Sequence, residues 1–212
     1  MAKPAKKAAK GKAVSKPAKT VKGAKVAKAP KEKGPSAAEK NRFTLYGFAG
    51  STSTYTVALM LSLCRHPFSY IHVSLRDGAH KLADYLVKNR YGQVPALRDG
   101  QVFLVQSAAI LIHLSETLGK FDGKTPLERA RIREWLFWQW DKLAVPVYRL
   151  RARNRGFRQF GDEVRVMYDT EAKAALAVLE GELSKSEWIA GKKATAADVG
   201  IYSVVRFCPD AN

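Results

Sequence analysis

The sequence predicts an α/β domain over residues 42–118, an all-α helical domain over residues 125–212, and a disordered basic tail over residues 1–41. The tail has no aromatic residue, Leu or Ile, so too little apolar area exists to offset the entropy of ordering the chain. Short apolar strands then alternate with helical patterns up to Leu118, which is typical of an α/β domain. From Thr125 onward, apolar residues recur at helical spacing, which predicts helices alone.

The tail carries most of the charge. The chain has a formal net charge of +18 at pH 7, and residues 1–41 hold 13 Lys and 2 Glu, a net charge of +11. This composition resembles the lysine-, alanine- and proline-rich tails of linker histones and of some bacterial nucleoid proteins. We therefore expect salt-sensitive, sequence-independent binding of nucleic acid through residues 1–41. The alternatives are a solubilising extension and, less in keeping with the lack of Arg, a mitochondrial transit peptide.

Cysteine usage and hydropathy narrow the class of protein. Cys64 and Cys208 form no spaced pair, so we expect a reducing compartment, no disulfide framework and no metal site. No apolar run approaches the roughly 20 residues of a membrane-spanning helix. A cytoplasmic protein without membrane contact is therefore expected, and the basic tail raises nucleoid association as an alternative.

The first elements follow one another closely. A strand is expected over residues 43–48 and a helix over residues 55–63, with a hydroxyl-rich turn at residues 50–54 between them. In the simplest interpretation, the Ser and Thr residues of that turn cap the helix. A second strand is expected over residues 68–75, and two polar residues at 80–81 then open a short helix.

Residues 91–114 have the pattern of a strand, a tight turn, a strand and a helix. The first of these strands covers residues 93–97, and Pro95 within it indicates an edge or a bend. Asp99-Gly100 supplies the positive φ angles of a two-residue hairpin turn. Ser107 directly precedes an apolar run, where a helix N-cap belongs. These elements complete the order β-α-β-α-β-β-α.

The same stretch has features that suit a peptide-like ligand. If the Val94–Pro95 bond is cis, the backbone N–H and C=O of Val94 face outward and can pair with an added strand. The Gln106-Ser107 pair places a helix N-terminus nearby, which suits a carboxylate. Each feature alone is more typical of an ordinary edge strand or capped helix. Their combination in this order favours a ligand site.

The helical domain has its own start and stop signals. Thr125 and Pro126 are a typical N-cap and first residue of a helix, which is expected to run to about residue 144. Its aromatic stripe is typical of a core or an interface, and Pro146 is expected to end or kink the helix. The arginine run at residues 149–158 is typical of a solvated face, or adds to a surface for polyanions.

Two later helices are predicted from local patterns. Apolar residues recur at helical spacing over residues 162–183. Thr195 and Asp198 have the spacing of a capping box, in which Thr caps the helix and the carboxylate reaches back to a free N–H. The last helix then runs through Val205, and the role of Thr195 and Asp198 is structural.

Several motifs together resemble the cytosolic glutathione S-transferases. They are G-Q-V-P-A-L at residues 92–97, D-G at 99–100 and L-x-Q-S-x-A-I-L-x-x-L at 104–114. The resemblance continues in F-T-L-Y at 43–46, G-A-H-K at 78–81 and A-T-A-A-D at 194–198. It covers most of the chain from about Arg42 to Phe207, and it implies a thioredoxin-like first domain that binds glutathione, followed by the helical domain.

The resemblance also implies a catalytic hydroxyl. In theta- and zeta-like members, the residue five after the Tyr of the L-Y pair is a Ser that holds the glutathione sulfur. Counting from Tyr46 gives Ser51, and Ser53 is a second candidate because the sequence does not fix the turn. In beta-like members a Cys stands one place later, where this chain has Thr52. A Cys-type mixed-disulfide enzyme is therefore not expected.

The remaining glutathione contacts are carried over from the same resemblance. In theta-like members a His-Lys pair contacts the glycine carboxylate of glutathione, and both residues are donors suited to a carboxylate. The expected glutathione-binding residues are His80, Lys81, Val94, Pro95, Gln106 and Ser107. Glutathione is the expected co-substrate, and no metal is expected.

By this resemblance the chain is a bacterial, theta-like glutathione transferase that adds the glutathione thiolate to small hydrophobic electrophiles, as a homodimer. The first alternative is a non-catalytic protein of the same fold whose tail binds nucleic acid. The second is a glutathione-dependent dehalogenase, isomerase or reductase. The chain ends soon after Pro209, whereas relatives usually continue for another helix or two, so we expect a C-terminally shortened member.

Overall fold

The computed structural model of the chain describes residues 42–211. The basic tail, and the nucleic-acid binding predicted for it, lie outside the described residues. Four strands form one sheet in the order β2-β1-β3-β4, where β1 pairs in parallel with β2 and antiparallel with β3, and β3 pairs antiparallel with β4. The strands are β1 (Phe43–Gly47), β2 (Phe68–His72), β3 (Ala96–Asp99) and β4 (Val102–Val105).

Within residues 42–211, seven α-helices accompany the sheet. They are α1 (Thr52–Leu63), α2 (Ala83–Leu86), α3 (Ser107–Leu118), α4 (Pro126–Trp138), α5 (Val145–Asn154), α6 (Asp162–Leu183) and α7 (Ala196–Val205). Two 3₁₀ turns cover Ala79–Lys81 and Cys208–Ala211, and a π-helical segment, Gln139–Ala144, joins α4 to α5. The predicted fold class is thereby confirmed for the described residues, as a thioredoxin-like sheet-and-helix domain followed by a helical domain.

The main apolar core joins the sheet to helices of the first domain and to helices of the helical domain. Phe43, Leu45 and Leu97 of the sheet are fully buried and belong to one apolar cluster with residues of α1, α3, α4 and α7. The close approach of α7 to α4 depends on Gly200, because a Cβ there would lie 2.8 Å from Cδ2 of Leu136. A second apolar cluster joins the π-helical segment, α5, α6 and α7.

The predicted element bounds need correction around the hairpin and at two helix starts. The third strand occupies residues 96–99 instead of 93–97, and Gly100-Gln101 form its turn, with Gly100 at φ +59°. Helix α1 begins at Thr52, three residues before the predicted start, because Ser51 caps it. Gln106, not Ser107, is the N-cap of α3.

In the helical domain, α6 has the predicted bounds of 162 and 183. The helix predicted over residues 125–144 is instead α4 followed by the π-helical segment. Pro146 does not end the helical path, because it stands in the first turn of α5, where its missing N–H costs little. None of the helices within residues 42–211 is long and apolar enough to cross a membrane.

Candidate functional site

The turn between β1 and α1 presents hydroxyl groups at a helix N-terminus. Ser51 is the N-cap of α1, and its Oγ accepts a hydrogen bond from the N–H of Thr54 at 3.3 Å. That bond uses an oxygen lone pair, so the hydroxyl hydrogen of Ser51 can still donate to another group. The first turn of α1 contains no acidic residue. The helix dipole at this end therefore favours a bound anion.

A small cavity of about 30 Å³ lies beside this turn. Five of the predicted site residues line it: Ser53, Val94, Pro95, Gln106 and Ser107. Asn89, Gln93 and Trp140 complete the lining. The loop before β3, the start of α3 and the start of α1 thus meet at one place, although the start of α1 is far from the other two in sequence.

The loop before β3 is held by two buried side chains from the preceding segment. The hydroxyl of Tyr85 donates to the carbonyl of Gln93 at 2.7 Å, and Nδ2 of Asn89 donates to the same carbonyl at 2.6 Å. Burial raises the pKa of Tyr85 to about 12, so its phenol stays protonated and keeps donating. The Val94–Pro95 bond in this loop is cis. Sequence patterns did not indicate these two supporting residues, because their contacts are made by side chains in an irregular segment.

Gln106 has an unusual backbone conformation for a residue with a side chain. Its φ is +68° and its ψ is 111°, at the N-cap of α3. Such a conformation costs a non-glycine residue about 1–3 kcal/mol and is found most often where a ligand is held. The carbonyl of Gln106 accepts the N–H of Ile110 at 2.9 Å, so the helix fixes this conformation from one side.

His80 and Lys81 do not line the small cavity; they lie against the backbone that leads into it. Nζ of Lys81 donates to the carbonyl of Gly92 at 2.9 Å. Gly92 has φ +56°, and a Cβ there would lie 3.0 Å from the carbonyl oxygen of His80, so glycine is favoured at this position. Nδ1 of His80 is buried without a hydrogen-bond partner among the described residues. A buried polar atom without a partner calls for an explanation, and a bound ligand group is one.

A larger cavity of about 240 Å³ shares a wall with the small one, because Ser53 lines both. Ser51 and Thr52 also line it, so the hydroxyl-rich turn forms one end of this cavity. The other lining residues are Phe48, Gly50, Leu75, Tyr148, Arg151, Ala152, Arg155 and Phe157. Most of its distal wall therefore comes from α5 and the segment after it.

Tyr148 stands next to the serines of the turn. Burial raises the pKa of Tyr148 to about 12, against the opposing effects of a hydrogen bond with Ser53 and the positive charge of Arg151. Its hydroxyl is therefore a neutral phenol near pH 7. It can donate a hydrogen bond into the region where the two cavities meet.

The prediction that the arginine run at residues 149–158 forms a solvated face is wrong for Arg151, which is buried. Arg151 is only 6% exposed. Its NH1 donates to the carbonyl of Gly50 at 2.9 Å and to Oγ1 of Thr52 at 3.0 Å. Its Nε donates to Asp210 at 3.0 Å, and its guanidinium lies 4.2 Å from the ring centre of Phe207. Arg151 thus fastens the turn before α1 to α5 and to the last described turn.

The structure therefore divides the predicted site residues into three groups. Ser53, Val94, Pro95, Gln106 and Ser107 meet at the small cavity, and Ser51 joins Ser53 at the larger one. His80 and Lys81 lie beside Gly92, outside both linings. Thr195 and Asp198 line neither of these two cavities.

Thr195 and Asp198 form a capping box at the start of α7. The carboxylate of Asp198 accepts the N–H of Thr195 at 2.8 Å and the N–H of Ile189 at 2.9 Å. Tyr148, Arg151, Arg155 and Phe157, which line the larger cavity, were not assigned from the sequence. Among residues 42–211, no group of three or more His, Cys, Asp or Glu side chains is arranged to hold a metal ion.

Comparisons with known proteins identify the family of the chain. Residues 41–116 match the family model described as "Glutathione S-transferase, N-terminal domain". A glutathione S-transferase from Silene vulgaris is 30% identical over 156 residues, which cover 68% of this chain and 71% of that protein. The disulfide-bond oxidoreductase YfcG from Escherichia coli is 26% identical over 162 residues, which cover 73% of this chain and 75% of that protein.

A solved structure is similar as well. The glutathione S-transferase from Xanthobacter autotrophicus superimposes with a TM-score of 0.74 at 28% identity, covering 80% of this chain and 83% of that one. The family model covers the sheet-and-helix domain, and the solved structure has the same fold over both domains. The chain belongs to the glutathione S-transferase family.

Proposed function

We propose that this chain is a glutathione transferase of the bacterial, theta-like serine type, which joins the glutathione thiolate to small hydrophobic electrophiles. The observation that carries the proposal is the position of Ser51. Its hydroxyl caps α1, keeps its hydrogen available, and lines the larger cavity beside Ser53, the residue shared by both cavities. A thiol placed there faces both a hydroxyl donor and the positive end of a helix.

Those two groups account for activation of the thiol. A free thiol has a pKa near 8.5, so only a few per cent is thiolate at pH 7. Donation from Ser51 to the sulfur and the dipole of α1 both favour the anion, and each unit by which the pKa falls corresponds to about 1.4 kcal/mol. The proton leaves to solvent. The sulfur then forms a bond to the electrophilic carbon in the larger cavity.

The rest of glutathione is proposed to follow the small cavity and its edges. The backbone N–H and C=O of Val94 pair with the cysteinyl unit in the manner of an added strand. Gln106 and Ser107 present the N-terminus of α3 to the γ-glutamyl carboxylate. His80 and Lys81 bind the glycine carboxylate, and the unpartnered Nδ1 of His80 supports that role.

We further propose that the protein is a cytoplasmic homodimer. Apolar side chains around α2 are well exposed in the single chain: Leu82 is 60% exposed, Val87 78% and Tyr91 46%. Burial of such side chains against a second copy would release the water around them. Sedimentation of the purified chain gives its mass directly.

One other function has a specific observation in its favour. Residues 1–41 carry a net charge of +11, which supports a non-catalytic protein of this fold that holds nucleic acid through its tail. Gel shifts with and without residues 1–41, at two salt concentrations, measure that binding. The relationship to YfcG keeps a glutathione-dependent reductase as a variant of the main proposal.

Two measurements test the main proposal together. Millimolar glutathione is expected to raise the melting temperature, because a ligand that binds the native state stabilises it. Conjugation of glutathione to 1-chloro-2,4-dinitrobenzene is expected to fall at least about tenfold in kcat in Ser51→Ala, the size of a lost transition-state donor. An unchanged kcat would transfer the role to Ser53. A melt indifferent to glutathione would contradict the proposal.

A further inference from the structure

The larger cavity has an aromatic body. The rings of Phe48 and Phe157 are 6.4 Å apart between centres at an angle of 72°, and both rings line the cavity. Leu75 and Tyr148 add further apolar surface. An apolar cavity of about 150 Å³ holds one benzene molecule. The cavity of about 240 Å³ therefore suits a single substituted aromatic ring.

The same cavity is positively charged at its distal end. Among the described residues that line it, two are arginines, Arg151 and Arg155, and none is acidic. Both guanidinium groups donate to one oxygen, Oδ2 of Asp210, at 3.0 Å from Arg151 and 2.8 Å from Arg155. One carboxylate thus stands against two guanidinium groups, and a net positive charge remains on this wall.

The two arginines differ in how many N–H donors remain available to a ligand. Arg151 is buried and already donates hydrogen bonds to Gly50, Thr52 and Asp210. The side chain of Arg155 is 42% exposed, and its NH2 contacts Asp210. A guanidinium has five N–H donors, so Arg155 retains donors for a second anion. The guanidinium of Arg76 lies 5.8 Å from the ring centre of Phe157 and adds positive charge on the side of that ring.

We propose that the electrophile is an aromatic compound with one anionic substituent, such as a carboxylate. This inference rests on the proposed function. The ring lies against Phe48 and Phe157, the anion pairs with Arg155, and the reactive carbon faces the serines of the turn. For an aryl halide, the thiolate sulfur forms the new C–S bond, and the halide leaves with the electron pair of the C–halogen bond.

The site is therefore built to select by charge as well as by shape. A neutral ring of the same size fills the apolar part but gives the remaining N–H donors of Arg155 no anionic partner. A charge-assisted hydrogen bond from a guanidinium to a carboxylate is among the stronger polar contacts in proteins. We expect an anionic electrophile to be preferred over its neutral analogue by about tenfold after correction for intrinsic reactivity.

The test compares 4-chloro-3-nitrobenzoate with 4-chloro-3-nitrobenzamide. Each kcat/KM is divided by the rate constant of the uncatalysed reaction with glutathione, which removes the difference in ring activation. Arg155→Gln is expected to lower the corrected value for the benzoate about tenfold and to change that for the benzamide less than about twofold. Arg158→Gln is the matched control, because this substitution removes the same charge. Arg158 is exposed and lines neither cavity.

The outcomes separate this inference from the proposed function. Equal loss with both compounds in Arg155→Gln, or a preference for the benzamide, would overturn it. If neither compound is turned over while glutathione still binds, the proposed function fails. Calorimetric titration of the two compounds into the glutathione complex then shows whether the cavity prefers the anionic compound. Tighter binding of the benzoate that depends on Arg155 supports an anion site in this cavity. Equal binding of both compounds rejects it.

Discussion

The guanidinium of Arg151 donates a hydrogen bond of 3.0 Å to the hydroxyl of Thr52, across 99 residues of sequence. Thr52 is the first residue of α1, and Ser51 beside it caps that helix. A second bond from Arg151 reaches the carbonyl of Gly50 at 2.9 Å. Arg151 therefore holds the turn that presents the proposed catalytic hydroxyl, although it does not act on the sulfur itself.

Arg151→Met is expected to reduce both stability and turnover. The substitution leaves the carbonyl of Gly50 and the buried hydroxyl of Thr52 without their donor, which costs about 1–3 kcal/mol. Denaturant unfolding measures that loss, and kcat with 1-chloro-2,4-dinitrobenzene is expected to fall along with it. Arg131→Met is the control, since Arg131 pairs at 3.2 Å with the exposed Glu134 and such a pair contributes less than about 1 kcal/mol. Equal effects of the two variants would show that Arg151 has no special role.

Gln106→Gly is expected to weaken glutathione binding without lowering the stability of the protein. Glycine adopts a φ of +68° without steric cost, so the melting temperature should stay level or rise. Loss of the side chain should at the same time weaken glutathione binding by calorimetry. Gln106→Ala provides the control, because it removes the same side-chain contacts but keeps the backbone penalty. A glycine variant that melts well below the alanine variant would contradict the assigned strain.

Gly200→Ala is expected to destabilise the protein. The added Cβ would lie 2.8 Å from Cδ2 of Leu136, which is itself 1% exposed and has little room to move. Overpacking of this kind costs about 1–3 kcal/mol. The control is Gly181→Ala in α6, where no atom lies within 4 Å of the added Cβ and the helix should gain about 0.5–1 kcal/mol. Opposite shifts in the midpoint of urea unfolding are therefore predicted, and shifts of the same sign would contradict the packing of α7 on α4.

The stability of the sheet is expected to depend on pH through Asp99, the last residue of β3. A hydrogen bond from Arg42 lowers the pKa of Asp99, burial opposes that effect, and a contact with His113 adds to the lowering. The distances are 2.7 Å from Nε of Arg42 and 2.8 Å from Nε2 of His113. Because the pKa is lower in the folded than in the unfolded chain, this contribution is present above about pH 4 and is lost as the pH falls through the folded-state value.

Asp99→Asn tests this pH dependence. The difference in unfolding free energy between the wild type and Asp99→Asn should be greatest near neutral pH and should shrink below about pH 4. Denaturant unfolding at a series of pH values measures the difference. A constant difference across that range would show that the charge of Asp99 contributes nothing.

Local sequence patterns predicted those elements whose determinants are local. The bounds of α6 follow from apolar residues at helical spacing, and the capping box of Thr195 and Asp198 has its two members three residues apart. The small cavity was largely predictable through its family motif, since Val94, Pro95, Gln106 and Ser107 lie in one stretch. Five of its eight lining residues were assigned from the sequence.

The remaining features depend on contacts between distant segments. The strand predicted over residues 93–97 begins later because the carbonyl of Gln93 is taken by the side chains of Tyr85 and Asn89. Arg151 belongs to a run of arginines that has the pattern of a solvated face, yet its partners lie 59 and 101 residues away. The distal wall of the larger cavity could not be assigned from the sequence for the same reason.

The most direct test of the central claim is the pKa of the glutathione thiol when it is bound to the protein. Thiolate absorbance near 240 nm, followed against pH with saturating glutathione, gives that value for the wild type, Ser51→Ala and Ser53→Ala. We predict a bound thiol pKa clearly below the free value of about 8.5, a rise of at least about one unit in Ser51→Ala, and little change in Ser53→Ala. A bound thiol that titrates as it does free in water would contradict the claim that the N-terminus of α1 and Ser51 activate glutathione.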